Sequence, residues 1–77
     1  MFEEINDFII KINNKKLNLN HILDLHYNSN NSTLIIEMMN GKILQFDDIS
    51  FDDYEVLKNK FAGFLMFKNR VFKSMEF

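Results

Sequence analysis

The chain has no cysteine and no proline, only two glycines, and one arginine among its nine basic residues. Without cysteine there can be no disulfides, and the thiol-based zinc and redox motifs are excluded. That composition suits a reducing cytoplasm, which is where we expect the protein to reside. Without proline, and with Gly63 the last glycine, nothing in the C-terminal segment stops a helix. With glycine confined to Gly41 and Gly63, no Gly-rich phosphate-binding loop can be written. No apolar run approaches the ~20 residues of a membrane span, so no membrane association is expected. The acidic start, Met1-Phe2-Glu3-Glu4, is unlike the basic start of a secretion signal.

What is present is apolar and skewed. The 77 residues are 47% hydrophobic and include nine Phe, nine Ile, eleven Asn and eight Lys. AT-rich codons favour these residues, which points to a bacterial or phage genome of that composition. The length predicts a single domain, and one this small buries roughly 60% of the surface its unfolded chain exposes. Core packing, a second copy or a bound partner must therefore supply its stability. A net charge of −2 argues against general nucleic-acid binding.

Residues 33–46 read TLIIEMMNGKILQF, two apolar runs flanking Asn40-Gly41. That pattern predicts a hairpin with a two-residue type I′ turn. Such a turn sets Met39 opposite Lys42, Met38 opposite Ile43, Glu37 opposite Leu44, Ile36 opposite Gln45 and Ile35 opposite Phe46. In this register one face carries Leu34, Ile36, Met38, Ile43 and Gln45, and the other Ile35, Glu37, Met39, Lys42, Leu44 and Phe46. Both are mostly apolar, and one helix covers only one. The second face then needs the N-terminal segment, a curled sheet or a partner.

Around this hairpin, residues 8–12, 17–20 and 22–27 read as strands, the second with Leu17 and Leu19 inward and the last with Leu23, Leu25 and Tyr27 on one face and Asp24 and His26 on the other. Residues 2–7 form a lead-in or a single helical turn. Asn13 to Lys16 is a polar break, and Asn28 to Ser32 a loop. Ser50 predicts a helix N-cap, with Asp52 and Asp53 in the positive first turn and an Ile49–Tyr54 staple, so the helix starts at Phe51. Tyr54, Leu57, Phe61, Phe64 and Leu65 form its apolar stripe. The expected architecture is α+β: an antiparallel meander of about four strands, then one long amphipathic C-terminal helix packed across it. Beyond Lys68 two readings stand. Either the helix continues to Met75, about 37 Å in all, and overhangs strands of about 20 Å, or it ends near Lys68-Asn69 and the tail folds back or frays. The overhang would expose Phe67, Val71, Phe72 and Met75 as a contact stripe.

Candidate chemistry is sparse. His21, Asp24 and His26 are the one metal-like cluster, and their spacing aims the two histidines apart on a strand or a helix. The four serines fall in a loop, at a helix cap and in the tail, with no nucleophile motif. The carboxylates near the helix start have no apolar pocket to raise a pKa. No enzyme, cofactor or metal is therefore expected. Charge is segregated: Asp47, Asp48, Asp52, Asp53 and Glu55 precede Lys58, Lys60, Lys68, Arg70 and Lys73. The helix dipole favours that order on its own. The sharper reading makes the acidic pole a docking surface for a basic partner.

The expected function is thus a small non-enzymatic protein-binding module, acting through the acidic pole or the apolar helix stripe. Its size and codon-biased composition suit a phage- or mobile-element-encoded inhibitor of a host defence nuclease or nucleoprotein complex, of the anti-CRISPR kind. The alternatives are a nucleic-acid-binding regulator using the basic C-terminal segment and a structural homodimer built on the overhang.

Overall fold

The computed structural model describes the backbone of residues 2–75 and the side chains of residues 2–66. Six strands, β1 (Phe2–Glu4), β2 (Ile9–Ile12), β3 (Lys15–Asn18), β4 (Ile22–Asn28), β5 (Thr33–Met38) and β6 (Ile43–Phe46), precede the helix α1 (Phe51–Met75). They form two antiparallel sheets, ordered β1-β2-β3 and β4-β5-β6. The fold is α+β, but the expected single sheet of about four strands is replaced by two sheets of three. One cause is local. Asn18 Oδ1 accepts the backbone N–H of Asn20 at 2.9 Å and caps a 3-10 turn at Leu19–His21, which ends β3 before β4 begins. The other is that part of the N-terminal lead-in pairs with β2, Phe2 opposite Ile12 and Glu4 opposite Ile10.

The two tight turns differ from their sequence readings. Asn13 and Asn14 both have positive φ, 47° and 70°, and join the paired residues Ile12 and Lys15. That is the two-residue turn with both central residues left-handed, made here by Asn-Asn. At Asn40-Gly41 only Gly41 is left-handed, at φ 89°. The Gly41 N–H donates to the Met38 carbonyl at 3.0 Å and the Met38 N–H to the Lys42 carbonyl at 2.8 Å. These bonds define a three-residue loop closed by a left-handed glycine, in place of the expected two-residue turn.

One extra loop residue moves the β5–β6 register by one. Leu34 pairs with Phe46, Ile35 with Gln45, Ile36 with Leu44 and Glu37 with Ile43. A one-residue slip turns every β6 side chain over relative to β5. Leu34, Ile36, Leu44 and Phe46 now share a face that joins the core, while Ile35, Glu37, Ile43 and Gln45 face outward. The two apolar faces expected from the sequence resolve into one apolar and one mixed face. In β4 a bulge between Ile22 and Asp24 reassigns another side chain. Ile22 is buried, and Leu23, expected to share a face with Leu25 and Tyr27, is 55% exposed.

The core draws on every layer. Ile10, Ile12 and Leu17 come from the first sheet, Ile22, Leu34, Ile36 and Phe46 from the second, and Leu57 and Phe61 from the helix. Tyr54 and Phe64 pack against this cluster, and Leu65, at the margin of the stripe, is 37% exposed. At the helix start, Ser50 Oγ accepts the Asp53 N–H at 3.1 Å, satisfying one of the orphan donors of the first turn. Ile49, just before the cap, is buried and donates its N–H to the Ser32 carbonyl at 3.0 Å, which ties the helix start to the end of the Asn-rich loop.

Candidate partner-binding surface

The buried Ile49 and the capped Ser50 fix the first turn of α1, and three aromatic rings gather there. Tyr27, from β4, stacks on Tyr54 with centroids 4.5 Å apart and planes 9° from parallel. Phe51 lies 6.2 Å from each of these rings at tilts near 50°. The Tyr27 hydroxyl donates to the Ile49 carbonyl at 2.7 Å, which holds the platform to the residue preceding the cap. Phe51 nonetheless keeps 53% of its surface exposed. An exposed ring on an ordered aromatic platform has little rotamer freedom left to lose on binding.

The carboxylates surround this platform in sequence. Asp47, Asp48, Asp52 and Glu55 are exposed, and Asp53 is half-buried. Asp47 Oδ1 accepts from Gln45 Nε2 at 3.2 Å and from Thr33 Oγ1 at 3.5 Å. Asp48 occupies a left-handed backbone conformation, φ 57°, as the chain turns from β6 into the helix. Among the described residues none of the five forms an ion pair. The five carboxylates, like Phe51 and Tyr54, fall within residues 47–55 around the helix start, and the macrodipole offsets only part of their charge.

The other site residues expected from the sequence, Phe67, Val71, Phe72 and Met75, lie outside the described side chains, as do Lys68, Arg70 and Lys73. His26 Nε2 sits 2.5 Å from Glu37 Oε1 and 3.7 Å from Asp24 Oδ2 on the outer face of the second sheet. Among the described residues no group of three or more His, Asp and Glu is arranged to hold a metal ion. Two hollows lie elsewhere among the described residues. One, of about 260 Å³, is lined by Asp7, Phe8, Lys60 and Phe64, with the two rings edge-on at 5.9 Å and Lys60 Nζ 3.9 Å from Glu4. The other, of about 270 Å³, is lined by His21, Met38, Met39 and Asn40. Both are open, and neither adjoins the carboxylates. Among the described residues no helix is long and apolar enough to cross a membrane.

Sequence reasoning singled out the carboxylates and did not include the aromatic platform. Its signal was present in part: Phe51 and Tyr54 are three apart, so they neighbour each other on a helix. Tyr27 could not be added without the tertiary fold. No family model, curated protein or solved structure matches this chain.

Proposed function

We propose that this protein is a non-enzymatic binding module that docks the start of its helix onto a basic surface of a partner protein. The observation that carries the reading is the exposed Phe51 ring, held by Tyr27 and Tyr54 and bordered by carboxylates without ion-pair partners among the described residues. Interfaces are dominated by aromatic anchors with a polar rim, and charge of one sign speeds encounter with the opposite sign. Phe51 is the anchor, and Asp47, Asp48, Asp52, Asp53 and Glu55 are the steering rim. The partner surface is basic and has an apolar recess that takes a ring, chemistry shared by channels that hold single-stranded nucleic acid. A host defence nuclease is the partner class that this chemistry and the codon-biased composition favour.

The test is affinity capture with the wild-type chain and with Phe51→Ala combined with Asp52→Asn and Glu55→Gln, at low salt and at high salt. Captured nucleases are then assayed for competition with single-stranded DNA. The expected partner is retained by the wild type at low salt, lost by the triple variant, and displaced by DNA. A nuclease bound equally by both chains, or bound without competition from DNA, contradicts the proposal.

A further inference from the structure

Two three-stranded sheets present four edges, and three of them are guarded. β1 carries Glu3 and Glu4, β3 carries Lys15 and Lys16, and β4 is broken by the Leu23 bulge and carries Asp24 and His26. Charge and bulges are the usual means of preventing edge-to-edge pairing. β6 has neither: Ile43, Leu44, Gln45 and Phe46 are uncharged, unbulged and free of proline. Its charged neighbours are Lys42 before it and Asp47 after it.

The hydrogen-bond parity of β6 follows from its loop. Met38 and Lys42 are bonded to each other, so Leu44 and Phe46, two and four residues on, also turn their backbone groups toward β5. Ile43 and Gln45 turn theirs to the open edge, where no described residue bonds them. Ile43 is also 61% exposed.

We infer that β6 is a self-pairing edge, joining a second copy of this chain antiparallel about a two-fold axis at Leu44. In that register Ile43 of one copy bonds Gln45 of the other in both directions, which satisfies every outward group of both strands. Leu44, half-buried on the inner face, meets Leu44 of the second copy. Lys42 of each copy comes opposite Phe46 of the other and Asp47 opposite Gly41, so no like charges face each other across the seam. Self-pairing of β1 or of β3 would set like charges side by side. The contact continues the β4-β5-β6 sheet through six strands, and Phe51 lies outside the paired residues, so only Asp47, at the end of β6, borders both this contact and the surface proposed above.

The experiment is sedimentation over a dilution series up to millimolar chain, with residue-resolved amide exchange at both ends of the series. The expected result is a concentration-dependent doubling of mass, with the Ile43 and Gln45 amides slowed about tenfold or more at high concentration. The Leu44 and Phe46 amides, already bonded to β5, change little. Ile43→Lys weakens association by about tenfold or more, whereas Leu23→Lys, at a similarly exposed site, leaves it unchanged. Circular dichroism confirms that both variants are folded. A chain that stays monomeric throughout, or a dimer in which the Ile43 and Gln45 amides are unprotected, overturns the inference. So does a folded Ile43→Lys that associates like the wild type.

Discussion

At Gly41 the backbone stands at φ 89°, and a Cβ built there would meet nothing within 4 Å. The constraint on this residue is therefore conformational and owes nothing to space. Gly41→Val should lower stability by about 1–2 kcal/mol, since a β-branched residue resists the left-handed region. Gly63 also has open space around its Cβ position but lies within α1 without positive φ. Gly63→Ala should raise stability by about 0.5–1 kcal/mol by restricting the unfolded chain and favouring helix. Urea midpoints of the two variants should move in opposite directions, and a shared sign would contradict this assignment of the turn. Tyr27 gives a third test at the same scale. Tyr27→Phe keeps the ring stack and removes the bond to the Ile49 carbonyl. The expected loss is about 0.5–1.5 kcal/mol, measured by urea titration, and an unchanged midpoint would mean that the hydroxyl does not hold the helix start.

At the scale of elements, the helix start depends on its cap. Ser50→Ala should cost about 1 kcal/mol, because the Asp53 N–H loses its acceptor; thermal unfolding monitored at 222 nm would show it. The helix start was readable because its signals are local: Ser50, Ile49 and Tyr54 each act within one turn. The hairpin was harder. Asn-Gly supports both a two-residue turn and a three-residue loop ending in left-handed glycine, and the dipeptide does not choose between them. Burial chooses. Only the longer loop places Leu44 and Phe46 on the same face as Leu34 and Ile36 and leaves Gln45 and Glu37 outside. The puzzle of two apolar faces was itself the sign that the register was off by one. The Leu23 bulge was likewise invisible to a period-two reading, which assumes an unbroken ladder. β1 escaped notice because Phe-Glu-Glu has little strand character apart from its pairing with β2.

At the scale of the whole molecule, the described residues span 46 × 24 × 22 Å, and the helix alone, at about 37 Å, accounts for most of the long dimension. Charge follows the same direction, with carboxylates at the helix start and bases from Lys58 onward. The sequence carried this polarity in full, because charge order is linear. The aromatic platform was not legible, since Tyr27 reaches Tyr54 only through the fold that packs β4 against α1.

That Phe51 and its carboxylate rim form the contact surface is tested by binding kinetics on a captured, purified nuclease over a range of ionic strength. Phe51→Ala should weaken affinity by about tenfold or more, mainly through faster dissociation. Asp52→Asn with Glu55→Gln should slow association and flatten its salt dependence. Leu65→Ala, on the same helix and away from the rim, should bind like the wild type. Wild-type affinity in Phe51→Ala, or a larger loss in Leu65→Ala, would contradict the claim.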